Sequence, residues 1–119
     1  MGIKIELPEM EEMFSIVDAI HELNMEKASI DIDIKLTESQ INQIVTSDER
    51  YYVGGKPPSQ AYIDNTYKYR GLDGELVEKR RKLSTAVAEI ERLRSRLDLY
   101  KQMIEIWRTQ EASERKATL

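Results

Sequence analysis

Hydrophobic residues recur at every seventh position along the C-terminal part of the chain. One set is Leu76, Leu83, Ile90, Leu97 and Ile104, and three residues after its later members come Ala86, Leu93, Tyr100 and Trp107. These sets are the a and d positions of a heptad repeat, and they predict a long helix from about Asp73 to Lys116. Such a helix of about 40 residues is about 60 Å long. Its apolar seam therefore needs a partner, either an earlier helix or a second copy of the chain.

Apolar residues spaced three or four apart predict another helix near the N-terminus. Pro8 is a favourable residue for opening it, and the glutamates that follow suit the positive end of the helix dipole. The apolar stripe consists of Met10, Met13, Phe14, Ile16, Val17, Ile20 and Leu23. This segment is therefore predicted to be an amphipathic helix.

Two structures fit the segment Ile30–Leu36, in which apolar and polar residues alternate. The alternation fits a strand, which could pair with the similar segment Ile3–Leu7 and give a small α+β N-terminal part. However, Ile30, Ile34, Ile41 and Ile44 also fit helical spacing, within a helix from about Met25 to Tyr52. We favour the helix, so the predicted fold is all-α: a helical hairpin with a long C-terminal heptad helix, assembled into an oligomer.

The segment Gly54–Pro58 contains two glycines and two prolines and ends any helix before it. It divides the chain into an acidic helical region 1–53, the break 54–58, and a basic region 59–119 that holds the long helix. Ser59 can cap the next helix. Beyond it, Tyr62 and Tyr69 continue the heptad spacing backwards from the long helix, but a loop at Gly71–Gly74 capped by Asp73 is equally consistent.

Charge differs sharply between the two halves of the chain. Residues 1–49 contain 12 acidic and 3 basic residues, a formal charge of −9, whereas residues 50–119 contain 10 acidic and 15 basic residues, a charge of +5. In the heptad register, basic residues of the long helix gather at the e and g positions. They are predicted to pair with the acidic half, to bind an anionic partner, or both.

Composition argues against catalysis and against a membrane protein. The only histidine is His21, and there is no cysteine, so no familiar His/Cys metal site can form within one chain. Gly54-Gly55-Lys56 lacks the spacing of a phosphate-binding P-loop. The beginning of the sequence lacks the apolar run of a signal peptide, and no segment is apolar enough to span a membrane. We therefore expect a soluble, cytoplasmic protein that is not an enzyme and uses no cofactor or metal.

Tyrosines and basic residues are interleaved around the Gly/Pro break. Aromatic rings can stack on bases while Lys and Arg neutralise phosphates, which is how single-stranded nucleic acid is bound without strong sequence preference. A second basic cluster follows on the long helix. The candidate nucleic-acid-binding residues are Arg50, Tyr51, Tyr52, Lys56, Tyr67, Lys68, Arg70, Lys79, Arg80, Arg81 and Lys82.

The succession of a helix, Tyr51-Tyr52-Val53-Gly54, a loop and a long helix ending in Leu97–Ile104 resembles the UvsY-type recombination mediators of tailed phages. The likeness covers about residues 45–108. It implies a small, all-helical homo-oligomer that binds single-stranded DNA and helps load a recombinase in place of single-strand-binding protein. It would place Tyr51, Tyr52 and Lys56 at the break and Lys79–Lys82 on the binding helix.

The predicted function is thus a non-enzymatic accessory protein that binds single-stranded DNA, as a recombination mediator does. The alternative is a structural or adaptor protein whose long helix makes protein–protein contacts without nucleic acid. In that case the basic stripe of the helix recognises an acidic protein surface.

Overall fold

The computed structural model describes residues 6–118, which contain three α-helices and no β-strand. Helix α1 spans Met10–Ser47, α2 spans Gln60–Thr66 and α3 spans Glu75–Thr118. The predicted all-α fold with a long C-terminal helix is confirmed. The alternation at Ile3–Ile5 lies outside the described residues. No helix in the described part of the chain is long and apolar enough to cross a membrane.

Helix α1 is one continuous helix, whereas the sequence suggested two successive ones. No Gly or Pro interrupts the chain between Pro8 and Gly54, so nothing ends the first helix before the second begins. The helix begins at Met10, two residues after Pro8, which was expected to open it. The segment Ile30–Leu36 is helical throughout, with Ile34 buried and Leu36 exposed. The helical interpretation is confirmed and the strand interpretation is wrong, because burial follows a period near four residues.

The described chain forms two compact units. Unit 1 contains the described residues up to Asn24 and from Ala88 onwards, and unit 2 is Met25–Val87. Helices α1 and α3 contribute to both. Each unit therefore contains residues from the acidic region 1–53 and from the basic region 59–119.

Unit 2 is held together by a core that draws on all three helices. Ile34, Ile41 and Val45 come from α1, Ile63 from α2 and Leu76 from α3. Val45 and Leu76 are fully buried. Because Ile63 is the one α2 residue in this cluster, it anchors the short helix to the other two.

An ordered turn connects α1 to α2 in unit 2. Gly54 and Gly55 have φ values of 62° and 80°, and Val53 and Lys56 exchange two backbone hydrogen bonds of 2.9 and 3.3 Å. Positive φ at both central residues of a two-residue turn is the geometry of a tight β-hairpin. Ser59 then caps α2, as predicted, because its hydroxyl accepts a hydrogen bond from the Tyr62 backbone N–H.

A second turn separates α2 from α3, so the loop alternative at Gly71–Gly74 is confirmed. Gly71 and Gly74 have φ values of 83° and 80°, which no α-helix contains. The expected cap from Asp73 is wrong, because α3 begins at Glu75 and Gly74 is the residue before it. Instead, the Glu75 carboxylate accepts from the backbone N–H groups of Leu72 and Asp73 at 2.8 and 2.7 Å. This carboxylate satisfies two donors beside the start of α3.

Unit 1 pairs the first part of α1 with the last part of α3. Ile16 of α1 is buried, as are Ile90 and Leu93 of the α3 seam. The Glu12 carboxylate accepts hydrogen bonds from Arg96 Nη2 and from the Tyr100 hydroxyl, both at 2.6 Å. The remaining seam residues of this unit, Leu97, Tyr100, Ile104 and Trp107, are half-buried.

Candidate nucleic-acid interface

The basic cluster Lys79–Lys82 is divided between two faces of α3. Lys79 Nζ lies 2.7 Å from Asp33 Oδ2, and Arg80 Nη2 lies 2.8 Å from Glu38 Oε1, so both residues pair with α1. Arg81 and Lys82 are exposed. The division follows from the heptad register, because residue 79 occupies a d position that faces the earlier helix.

Ion pairs between α1 and α3 explain part of the charge sorting seen in the sequence. Inside unit 2, Arg80 at an e position pairs with Glu38. Inside unit 1, Arg96 at a g position pairs with Glu12 at 2.6 Å. Pairing of e and g cations with the acidic half of the same chain is confirmed at these two positions.

Three of the tyrosines near the break form an edge-to-face cluster. The Tyr67 ring centroid lies 6.1 Å from that of Tyr51 and 6.4 Å from that of Tyr62, with interplanar angles of 89° and 70°. Tyr51 and Tyr67 also pack against the unit 2 core. These two rings therefore contribute to folding, and they and the half-buried Tyr52 offer only part of their surface to a ligand.

Tyr69 is the most exposed aromatic side chain in the described chain, at 68%. Its neighbours Lys68 and Arg70 are exposed, and neither makes an ion pair within residues 6–118. Sequence reasoning left Tyr69 out of the candidate site because its heptad spacing suggested a seam residue. The signals that identify it are the flanking cations and Gly71, which ends any continuous helix here.

Arg80 fixes the conformation of this exposed turn. Its Nε and Nη2 atoms donate hydrogen bonds to the carbonyl oxygens of Tyr69 and Lys68 at 3.2 and 2.7 Å. Its guanidinium carbon lies over the Tyr69 ring, 5.4 Å from the centroid. We call Lys68, Tyr69 and Arg70 the Tyr69 surface.

The two basic residues near the Gly/Pro break differ in their surroundings. Arg50 Nη2 lies 2.7 Å from Asp48 Oδ2, and hydrogen bonds from the Arg50 side chain and backbone lower the pKa of the Asp48 carboxyl. Lys56 follows the Gly54–Gly55 turn and is exposed. Arg50 is thus partly neutralised in place, whereas Lys56 remains open to solvent.

A cleft of about 420 Å³ lies in unit 2 beside the Tyr69 surface. We call it the Asn42 cleft, and its lining includes Lys35, Ile41, Asn42, Ile63, Tyr67 and Lys68. Asn42 Oδ1 is buried and accepts no hydrogen bond from residues 6–118. No sequence pattern indicated this cleft, because its walls come from α1, α2 and the turn after α2.

In unit 1, part of the α1 apolar stripe is uncovered. Met10, Phe14 and Val17 are 66%, 61% and 47% exposed, at positions i, i+4 and i+7. Residues 6–24 contain six carboxylates and no Lys or Arg. The α1 segment that carries this face is thus acidic, whereas Arg94 and Lys101 of α3 line a cleft beside Val17.

Comparison with protein-family models, curated proteins and solved structures finds no significant match for this chain. The resemblance to UvsY-type mediators, carried by Tyr51, Tyr52 and Gly54, stays a prediction. The function is therefore inferred from the exposure, contacts and charges of the described residues.

Proposed function

We propose that this protein is a non-enzymatic accessory protein that binds single-stranded DNA through unit 2. The observation that carries the proposal is the exposed Tyr69 ring between the unpaired cations Lys68 and Arg70. A base can stack on the ring while the two cations neutralise neighbouring phosphates. Stacking of this kind contributes about 1–3 kcal/mol per base and tolerates any sequence.

Arg80 supports this site as a positioning residue. Because it is bonded to two carbonyl oxygens of the turn and paired with Glu38, its charge is already engaged. Its guanidinium holds one side of the Tyr69 ring, so the ring is ordered before a strand arrives. An ordered ring loses less conformational entropy when a base stacks on it.

The surrounding cations extend the electrostatic part of the proposal. Lys82 is exposed and has no ion pair in the described chain, and Lys56 is exposed at the Gly54–Gly55 turn. Arg81 is also exposed, with an ion pair to Glu78 on its own helix at 2.9 Å. Exposed cations release counterions from DNA without first breaking contacts that hold the fold.

The test is the fluorescence anisotropy of labelled oligo-dT at increasing salt. Wild-type protein should bind at low salt, and the affinity should fall steeply as salt rises. Tyr69→Ala should weaken binding by about tenfold, whereas Tyr69→Phe should bind like the wild type because it keeps the stacking surface. Absence of binding at low salt would refute the proposal.

The resemblance to UvsY-type mediators extends the proposal to recombination. A mediator helps a recombinase replace single-strand-binding protein, so its effect is measurable without knowing the contact surface. We expect the protein to raise the DNA-dependent ATPase activity of a tailed-phage recombinase on strands coated with single-strand-binding protein. If the ATPase activity does not rise above that of the recombinase alone, the protein has no mediator activity, although it can still bind DNA.

A second candidate function, an assembly or adaptor protein, is favoured by the exposed α1 face of Met10, Phe14 and Val17. The occupant we propose is a second copy of this chain. The acidic α1 segment and the exposed cations Arg94 and Lys101 of α3 border the same face, so a two-fold arrangement of two copies would set the carboxylates of one copy against the cations of the other. Apolar contact and opposite charge would then act together.

Self-association is tested by light scattering after size-exclusion chromatography. Phe14→Glu places a charge in the apolar face and should reduce the molar mass to that of one chain. Ser15→Glu is the matched control, because Ser15 is exposed on the same helix and outside the apolar stripe. A wild-type mass equal to one chain at all concentrations would refute this candidate.

A further inference from the structure

We propose that Lys35 of α1 binds a phosphate of the same DNA strand that stacks on Tyr69. The strand would then cross the Asn42 cleft, from the turn after α2 to α1. This inference rests on the proposed function for the identity of the ligand, and it adds a binding residue from the acidic half of the chain. All candidate DNA contacts predicted from the sequence lie at or after Arg50, and Lys35 was not among them.

Two lysines from separate segments line the Asn42 cleft. Lys35 lies on α1, whereas Lys68 lies in the turn after α2 and belongs to the Tyr69 surface. Both side chains are exposed, and neither makes an ion pair within residues 6–118. The fold therefore brings two uncompensated cations to one cleft. A single strand is bound by cations that follow its backbone, and this pair of lysines meets that requirement.

The packing of α1 against α3 removes the closest partner that Lys35 has on its own helix. Glu38 lies three residues after Lys35, a spacing at which helical ion pairs form, but its carboxylate is paired with Arg80 at 2.8 Å. Asp31 lies four residues before Lys35 and makes no ion pair in the described chain. Surface pairs of that spacing contribute little free energy, so Asp31 competes weakly with a phosphate. The charge of Lys35 is thus available to a ligand.

Two carboxylates also line the cleft, and they differ in compensation. Glu38 is paired with Arg80, so a cation already offsets its charge. Asp64 accepts a hydrogen bond from Gln60 Nε2 at 2.9 Å but makes no ion pair in the part of the chain that the structure describes. Because like charges repel, Asp64 opposes the binding of a phosphate that the two lysines favour. Neutralising Asp64 should therefore tighten the binding of a strand that crosses the cleft.

Lys68 connects the proposed contact to the Tyr69 surface. It lines the cleft and precedes Tyr69 directly in the chain. A nucleotide stacked on Tyr69 carries phosphates on both sides, so a backbone that reaches Lys68 continues over the cleft to Lys35. The turn after α2 and helix α1 would then hold one strand together. Binding of this kind requires a folded unit 2, because only the fold brings the two segments to the same cleft.

The contact is tested by the salt dependence of oligo-dT binding to the full chain. Each phosphate contact contributes about −0.7 to the slope of log affinity against log salt, so Lys35→Gln should reduce the slope by about 0.7. Lys27→Gln is the matched control, because Lys27 lies on the same helix in unit 2 but does not line the cleft. Asp64→Asn should raise the affinity at low salt by about threefold. An unchanged slope in Lys35→Gln, with oligo-dT still bound, would overturn the inference and leave the proposed function standing.

Photo-crosslinking locates the strand without removing a cation. The chain has no cysteine, so Ser39→Cys provides a single thiol for a benzophenone maleimide. Ser39 is exposed and lines the Asn42 cleft, whereas Ser29 is exposed on the same helix and does not line it. Irradiation with oligo-dT should crosslink Ser39→Cys and leave Ser29→Cys uncrosslinked. Equal crosslinking of both variants, or of neither while oligo-dT is bound, would overturn the inference. If wild-type protein does not bind oligo-dT at low salt, the proposed function and this inference fail together.

Discussion

Lys79 Nζ lies 2.7 Å from Asp33 Oδ2, although 46 residues separate the two along the chain. Lys79 occupies a d position, where a self-associating coiled coil would normally place an apolar residue. Here the earlier helix of the same chain brings a carboxylate to it, and Thr37 adds a second acceptor at 3.1 Å. Lys79, the polar residue in the apolar seam, therefore makes specific contacts with α1 of the same chain.

A double-mutant cycle on this pair should give a small coupling free energy. Lys79→Gln and Asp33→Asn together should show about 0.5 kcal/mol of coupling, because both side chains are partly exposed and such pairs contribute little. Urea unfolding at low and high salt provides the measurement, and the coupling should decrease with salt. A coupling that is unchanged by salt would contradict an electrostatic origin.

Leu76 is predicted to be a large contributor to the free energy of unfolding. It is fully buried in the unit 2 core, so Leu76→Ala should destabilise the protein by about 2–5 kcal/mol. Leu99→Ala makes the same change on the same helix at a residue that is 53% exposed, and it should cost far less. Equal costs in denaturant unfolding would show that the unit 2 core is not packed as described.

Two glycine substitutions separate backbone strain from a steric clash. Gly71→Ala and Gly74→Ala both place a side chain at positive φ, which should cost about 1 kcal/mol or more in each case. In addition, a Cβ atom at residue 71 would displace the Glu75 carboxylate from its hydrogen bonds with Leu72 and Asp73, whereas residue 74 has open space around it. Gly71→Ala should therefore lower the thermal midpoint more than Gly74→Ala, and the reverse order would contradict the structure.

Glu75 should make stability depend on acidic pH. Burial raises the pKa of this carboxyl, but hydrogen bonds from the Leu72, Asp73 and Glu75 backbone and the charge of Lys79 together outweigh it, so the pKa lies below the usual 4.5. A lowered folded-state pKa means that the stabilisation is present above pH 4.5 and is lost as the pH falls through the folded value. Urea midpoints of wild type and Glu75→Gln should differ at pH 7 and converge in acid. A difference that is constant with pH would exclude this role.

Removal of charges should distinguish DNA-facing cations from structural ones. For single strands the slope of log affinity against log salt is about −0.7 per phosphate contact. Lys68→Gln with Arg70→Gln should therefore reduce the slope by about 1.4, whereas Lys79→Gln should leave it unchanged because Lys79 is paired with α1. An altered slope in Lys79→Gln alone would show that this pair opens to bind DNA.

The heptad pattern predicted which residues of α3 form the core, but it could not identify their partner. Leu76, Ile90 and Leu93 are buried within one chain, yet the same spacing would also suit a coiled coil between copies. The acidic charge of α1 was the sequence feature that favoured an intramolecular partner. The ion pairs of Glu38 with Arg80 and of Glu12 with Arg96 show that the partner of α3 at these positions is α1 of the same chain.

The candidate site was less predictable than the fold because it depends on turns. Tyr69 keeps heptad spacing, so periodicity placed it on the seam, but α2 ends at Thr66 and Gly71 has a positive φ, so Tyr69 lies in a turn. The Asn42 cleft is assembled from two segments, within residues 35–42 and 60–68, and periodicity carries no information about such a cavity. The exposure of the Tyr69 ring and the burial of Asn42 Oδ1 depend on how the helices and turns pack, which periodicity does not predict.

The continuity of α1 affects which part of the helix unfolds locally first. The helix carries one buried residue, Ile16, in its unit 1 segment and three, Ile34, Ile41 and Val45, in its unit 2 segment. Amide hydrogen exchange proceeds through the least costly local unfolding, which depends on the apolar contacts that each segment must break. A single unbroken helix should therefore exchange in a gradient, fast near Phe14 and slow near Val45. A protease added to the folded protein would cut first in the fast segment, and the unit 2 core would outlast it.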